Sequence, residues 1–471
     1  MLSTIASLLG TTTPAAGPGS LYAVYRFYLP ATITLIVAAF FLLGLGILFL
    51  WVRRRGLASL AGLAGIGLIF LTLWVNYHHY PRPIIFSEQA MLTQLWSAYK
   101  GEYLEPVTGR TLDKQRENIT TSEGQAYTML RAVWMDDRPT FNTSFQWAKY
   151  NIQRPDRLFS WLFGERADGK FAVLTEQGGA NTASDADIDI ALALLFAYSR
   201  WQDSDYLAEA AAIIPAIWNA EVVTINGRPY LAANNVEKQS TSPTVILNPS
   251  YFAPYAFRIF AEVDPTHDWL ALVDTSYEVI NQSLELPLDR DNSAGLPPDW
   301  VTINRRTGLL AGATDNALST NFGYDAMRLP WRIALDSQWF NEPRAATTLA
   351  KMEFLNRQWQ AETKLASTYT HDGREFMAYE SPAMYGGSLG FFLLTHPETA
   401  TAIYRDKLLT LFDPDTTRWK KILSYYDDNI AWFGMGLYQG KLINLSENMF
   451  SENSFAEANI PKSINANPAT P

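Results

Sequence analysis

The chain contains no cysteine. Disulfides, thiolate metal sites and a cysteine nucleophile are therefore excluded, and cysteine usage leaves the compartment open. Charge is also sparse: 18% of the 471 residues are Asp, Glu, Lys or Arg. No basic stripe offsets the net charge of −10, which argues against a nucleic-acid partner. There are five histidines. Two of them, His78 and His79, stand together without a third His or a carboxylate nearby, so a metal centre is not expected there. The acidic stretch "DRDNSAG" (Asp289–Gly295) lacks the sixth-position glycine and the closing acid of a calcium loop. No nucleotide motif and no fixed-length repeat is visible, so neither a cofactor nor a regular solenoid is expected.

What the chain has is apolar and aromatic mass: 48% hydrophobic residues, with 15 Trp, 23 Tyr and 25 Phe. That is ample for a large core, with rings to spare as flat platforms. The N-terminus carries two uncharged runs, Leu29–Val52 and Gly56–Val75, separated by Arg53–Arg55. Each is long enough for a bilayer core of about 30 Å. Trp51, Trp74 and Tyr77 stand at run ends, and Ala58/Gly62 and Ala61/Gly65 form small-residue pairs. These features predict a two-helix transmembrane hairpin with the arginine turn inside and the rest of the chain outside. The expected organisation is a tail over 1–28, the hairpin over 29–76 and a stalk over 77–86. A globular domain follows over 87–445, then a polar, disordered tail over 446–471.

The globular part reads as all-α. Helical-period segments fall at Ser87–Tyr99, Glu123–Trp134, Phe141–Asn151, Asp187–Trp201, Tyr206–Asn219, Pro254–Val263, Trp269–Ser283, Ala345–Trp359, Ala383–Leu394, Ala400–Leu411 and Tyr426–Tyr438. Strand candidates are short, "EVVTIN" (Glu221–Asn226) and "RPYLAA" (Arg228–Ala233). So many helices in one unit suggest pairs packed around a centre.

Three stretches place acids where helices begin. In "TTSEGQAY" (Thr120–Tyr127), Thr121 or Ser122 can cap a helix that Glu123 opens, and Gly124 leaves the backbone beside Glu123 bare. In "ASDADIDIALALLFAYSRW" (Ala183–Trp201), Ser184 is a candidate cap and Asp185, Asp187 and Asp189 follow at alternate positions. Capping and the helix dipole account for one or two of these acids and poorly for a third. Helix geometry puts Asp185 and Asp189 on one side and Asp187 roughly opposite. The flanks are apolar, so at least one carboxylate must be paired or enter a polar cavity. In "FGYDAMRLPWRIALD" (Phe322–Asp336), Arg328 follows Asp325 at i,i+3 and would keep it ionised. Each of these also has an ordinary explanation, as a first-turn acid or a helix ion pair. "NPSYFAPYAF" (Asn248–Phe257) and "LPPDWV" (Leu296–Val301) add Tyr251 and Trp300 as candidates for stacking or for ordering a water.

Taken together and in this order, these five stretches closely resemble glycoside hydrolase family 8, over roughly Trp96 to Tyr438. The resemblance implies an (α/α)6 barrel with a sugar-binding cleft across the ends of the inner helices, and inverting hydrolysis of β-1,4-linked glucan. By motif match it implies Glu123 as general acid, Asp325 as general base and Asp185 as the ligand of the sugar at the cleavage subsite. Tyr251, Tyr324 and Arg328 match residues around the attacking water and the base. Thr128 departs from the family, which usually has Gly there. Trp96, Trp147, Trp161 and Trp300 are the candidate stacking platforms. Asp187 is kept among candidate substrate-binding residues, with Asp187 or Asp189 expected to be tied into neighbouring helices.

The expected substrate is cellulose or a related β-1,4-glucan, with xylan and chitosan as alternatives. A membrane-tethered, extracytoplasmic enzyme would fit trimming of nascent polymer at a polysaccharide synthase complex. A non-catalytic polysaccharide-binding component is the rival; it would not need both Glu123 and Asp325. A barrel lyase is disfavoured because His267, His371 and His396 lie outside the motif stretches.

Overall fold

The computed structural model describes residues 29–53, 55–79, 88–289, 291–313, 318–447 and 449. Two compact units are present. One comprises Met1–Met91 with Pro414–Thr417, and the other comprises the remainder.

The described part of the first unit is dominated by α1 (Leu29–Trp51) and α2 (Arg55–His79). They pack through small residues: a Cβ on Gly65 would stand 3.0 Å from the Leu43 side chain and 3.2 Å from the Ala39 carbonyl. The transmembrane reading of this hairpin is overturned. Among the described residues no helix is long and apolar enough to cross a membrane. The membrane as partner, the extracytoplasmic location and the role at a synthase complex rested on that span and fall with it. The tail 1–28, residues 80–86 of the stalk, Arg54 and most of the C-terminal tail lie outside the described residues, as do the side chains of Trp74 and Tyr77.

In the second unit the helices are α3 (Glu88–Tyr103), α4 (Ser122–Trp134), α5 (Arg138–Asn151), α6 (Ser184–Trp201), α7 (Ser204–Glu221), α8 (Pro254–Val263) and α9 (Trp269–Glu285). They continue with α10 (Leu329–Phe340), α11 (Pro343–Leu349), α12 (Glu353–Glu362), α13 (Pro382–Thr395), α14 (Pro397–Ile403) and α15 (Tyr425–Tyr438). Helices α4, α6, α8, α10, α13 and α15 each touch the next, and α15 closes onto α4. They form the inner ring of an (α/α)6 barrel, with α5, α7 and α9 among the outer helices. The sequence explains the layering. Helix α6 is apolar all round and is buried from Ser184 to Tyr198, whereas α7 buries only one stripe: Tyr206, Leu207, Ala210, Ile213, Ile214 and Ile217.

Helix α10 is absent from the periodic segments above. Pro330 reads as a breaker, but it sits in the first turn, where its missing N–H costs nothing. The segment read as Ala345–Trp359 is broken by a 3-10 turn at Ala350–Met352.

Short strands decorate the barrel. β1 (Thr120–Thr121), β2 (Leu162–Glu165) and β3 (Phe171–Val173) form one sheet. The two strand candidates pair as the hairpin β4 (Val222–Ile225) and β5 (Arg228–Leu231), turned by Asn226 and Gly227 at positive φ. Most consequential is the antiparallel sheet β6 (Thr244–Leu247), β7 (Val301–Asn304) and β8 (Leu310–Gly312). Its register pairs Leu247 with Val301. The next residue along each chain beyond that pair is Asn248 on one strand and Trp300 on the other, so two separated loops are tied together.

Helix α13 lies on its neighbours with backbone in contact. A Cβ on Gly386 would fall 2.2 Å from the Ile430 carbonyl, and one on Gly387 would fall 2.1 Å from the Met327 carbonyl. Gly387→Ala should therefore lower stability by about 1–3 kcal/mol, the usual range for overpacking. Gly101→Ala, with nothing within 4 Å, should be neutral or stabilising. Urea midpoints of the two variants check this contrast.

Candidate active site

Three helix mouths converge on one guanidinium. Thr121 caps α4, its hydroxyl accepting from the Gly124 N–H at 3.0 Å, which sets Glu123 in the first turn. A Cβ on Gly124 would stand 3.1 Å from the Tyr425 ring. Its absence lets Tyr425, at the start of α15, donate its hydroxyl to Glu123 Oε1 at 2.9 Å. On α6 the cap position is Ala183, not Ser184, whose hydroxyl donates instead to the Ala232 carbonyl at 2.8 Å. Asp185 follows, with Oδ1 accepting from the Ala186 N–H at 2.9 Å.

Arg328, wholly buried, joins these elements. Its Nη1 donates to Glu123 Oε2, to Asp185 Oδ2 at 2.9 Å and to the Tyr127 hydroxyl at 3.1 Å. Its Nη2 donates to Asp325 Oδ1 at 2.6 Å and to the Ser250 hydroxyl at 3.2 Å. The Tyr251 ring lies 5.2 Å from the guanidinium carbon, and Trp300 meets Tyr251 edge-on at 5.7 Å. Glu123 and Asp325 are half-buried, whereas Asp185 is closed off.

The electrostatics follow from one cation among three carboxyls. Burial pushes Glu123 up to about 7; Arg328 opposes this, and Asp185 and Asp325 add to it. Burial also raises Asp325, with Arg328 opposing and Asp185 reinforcing. Arg328 itself is held well above its ordinary value by the anionic groups around it, which outweigh its burial.

The remaining sequence candidates disperse. Asp189 lies one helical turn below Asp185 and is gripped by both terminal nitrogens of Arg332, at 2.9 and 2.7 Å. Asp185/Asp189 and Arg328/Arg332 thus form two i,i+4 ladders facing each other. Asp187 points to the other face. It accepts from the Phe159 N–H at 2.9 Å and lies near Glu221 on α7, whose charge adds to the effect of its burial. Trp96 is 3% exposed and donates to Asp137 at 3.0 Å, and Trp147 is 7% exposed, edge-on to Phe163. Neither has a free face for stacking, which corrects their reading as platforms. Trp161 is half-buried, with its indole N–H on the Gly178 carbonyl at 3.0 Å. The Tyr324 hydroxyl meets that of Tyr379 at 3.0 Å. The hydroxyl of the departing residue Thr128 is satisfied by Thr111 at 2.8 Å and Tyr99 at 3.1 Å. Sequence reasoning missed Ser250, Tyr425 and Tyr426; "SYYDDN" (424–429), another acid-bearing helix start, was the available signal.

Two carboxyls buried near each other, as Asp187 and Glu221 are, are expected to hold one proton between them. Burial raises Asp187 well above its ordinary value and pushes Glu221 up to about 8. A folded-state value above the unfolded one gives stability that is full below the unfolded value of about 4.5 and is lost as pH rises through about 8. Thermal midpoints should therefore fall between pH 5 and 8 more steeply in the wild type than in Glu221→Gln, whose amide can donate to Asp187 without titrating. Parallel pH profiles would contradict the shared proton.

Comparison with known proteins agrees with the fold. Residues 78–414 match the family model described as glycosyl hydrolases family 8. An "Endoglucanase 2" of Ruminiclostridium josui is 29% identical over 269 residues, covering 55% of this chain and 53% of the relative. A "Probable endoglucanase" of Novacetimonas hansenii is 33% identical, covering 51% and 66%. The crystal structure of an endo-1,4-D-glucanase from Vibrio fischeri superposes with a TM-score of 0.60 at 25% identity, over 74% of this chain and 94% of that one. The chain spans about half to two thirds of the length of these two curated relatives.

Proposed function

The chain belongs to the glycosyl hydrolases family 8, and from that premise we propose that it is an endo-β-1,4-glucanase that cleaves its substrate with inversion. The observation that carries this reading is the grip of one arginine on Glu123 and Asp325, two half-exposed carboxyls borne on separate elements.

Hydrolysis needs a proton on the leaving oxygen and a nucleophile at the anomeric carbon. An inverting enzyme divides the work between an acid and a base with a water between them. Glu123 is the acid. Three carboxyls share one guanidinium, so retaining a proton on one of them relieves repulsion, and burial favours the neutral form of Glu123. Asp325 is the base, kept ionised by Arg328. It takes a proton from water as the water oxygen bonds to the anomeric carbon, while the glycosidic C–O bond breaks and Glu123 protonates the departing alcohol. Arg328 fixes the spacing of the pair with both forks, which a lysine cannot do. Asp185, closed off behind Arg328, holds that guanidinium and adds its charge to the field at Glu123, and Tyr251, Tyr324 and Trp300 line the path of water and glucan. The curated relatives named as endoglucanases support β-glucan as the substrate class.

Glu123→Gln should abolish turnover of a soluble β-1,4-glucan while sparing a substrate with an activated aryl leaving group, and reducing-sugar release measures both. Wild-type turnover should fall as pH rises through about 7, where Glu123 loses its proton. Early proton NMR should show the α-anomer first, and a β-anomer would end the inverting assignment. Running carboxymethylcellulose, xylan and chitosan side by side tests the polymer.

A further inference from the structure

The stretch "LPPDW" supplies a residue that the mechanism above leaves unused. Asp299 is 8% exposed. Its Oδ1 accepts from three backbone N–H groups, those of Gly323 at 3.1 Å, Asp325 at 3.1 Å and Ala326 at 2.8 Å. Its Oδ2 accepts from the Ser319 hydroxyl at 3.2 Å. Three amides converging on one oxygen force the backbone over 323–326 into a tight turn, and Asp325 leaves from the middle of it. Gly323 makes the approach possible, since a Cβ there would fall 2.6 Å from Asp299 Oδ2. The turn is held at both flanks as well. Phe322 exchanges backbone hydrogen bonds with Tyr369 at 2.8 and 3.0 Å, and the Arg328 N–H donates to the Asp325 carbonyl at 3.1 Å.

We propose that Asp299 is a positioning residue for the base: its carboxylate holds the backbone of Asp325 so that the Asp325 side chain meets the attacking water. This rests on the reading of Asp325 as base. Asp299 does not touch the substrate. Burial raises its carboxyl to about 7 and the charge of Asp325 adds to this, while the backbone and hydroxyl donors favour the anion. Its charge is therefore spent on the loop and not on the cleft. The geometry explains why an acid stands at this position between prolines and a tryptophan, where a loop-packing role would need no carboxylate.

The test separates positioning from mere folding. In Asp299→Ala the three amides lose their acceptor and the turn relaxes. A misplacement of about 1 Å should lower kcat about 100-fold, with KM for a soluble β-1,4-glucan oligomer changed less than about threefold. The loss should be the same for an aryl glycoside with an activated leaving group, because activation of water is common to both substrates; Glu123→Gln should spare that glycoside. Azide ion needs no base. It attacks the anomeric carbon directly as the C–O bond breaks and Glu123 protonates the leaving alcohol. It should restore turnover in Asp299→Ala, as in Asp325→Ala, and give the α-glycosyl azide. Asp299→Asn keeps an oxygen at Oδ1 and should stay within about tenfold of wild type, the loss of a charge-assisted bond being worth roughly that much. Wild-type kcat in Asp299→Ala, with Asp325→Asn inactive, would overturn the proposal. So would a loss that neither azide nor the Asn variant rescues, accompanied by a collapsed circular dichroism spectrum. Full activity of Asp325→Asn would remove the base reading and this inference with it.

Discussion

A buried guanidinium holding three carboxyls is the constraint on which the site depends. Removing Arg328 from water is costly, and its attraction to acids offsets that cost only where the partners are held in place. The barrel supplies the holding. Glu123 comes from α4, Asp185 from α6, and Asp325 from the loop into α10, each delivered to the same end of the inner ring. Burial, reinforced by Asp185 and Asp325 and opposed by Arg328, raises Glu123 to about 7. On the reading of Glu123 as the acid, its burial and the shortage of positive charge in the cluster together keep its proton available.

Beneath this layer the pattern repeats with the charges balanced. Arg332 and Asp189 form a closed bidentate pair backed by the Tyr255 hydroxyl at 2.9 Å. Arg131, on α4, pairs with Asp428 on α15 at 2.8 Å under the rings of Tyr99 and Trp432. These charge-matched pairs tie inner helices to one another. The layer with unmatched charges lies at the mouth, where substrate and water can reach it. The backbone contacts of Gly386 and Gly387 bring α13 close enough to brace the segment leading into Arg328.

Much of this was legible in the chain. Period alone gave most of the helices, with Pro254–Val263 matched end to end. The i,i+4 spacing of Asp185 and Asp189, with Asp187 opposed, correctly placed two acids on one face and the third on the other. Other features were not legible. Hydrophobic run length did not decide the N-terminal hairpin: among the described residues no helix is long and apolar enough to cross a membrane. Aromatic residues cannot be sorted by type into core and platform, and so Trp96 and Trp147 were misread. Tyr425 and Asp299 escaped notice because their partners lie 302 residues away and 24 to 27 residues away, across a loop that only the folded chain closes.

The sequence by itself determined the local facts. These are the helices and their buried faces, the acids at their mouths, the Asn-Gly turn, and the motif order that identifies the family. Such features depend on neighbours within a few residues, where covalent spacing already fixes geometry. Only the tertiary structure decided which acid meets Arg328, which is neutralised by Arg332 and which is buried near Glu221. It also decided that the Leu247–Val301 register sets Asn248 and Trp300 beside Asp325. Those outcomes depend on ring closure and on burial. Whether a carboxyl is a salt bridge, a proton store or a catalyst is set by the charge and water around it, and that environment exists only after distant helices have packed.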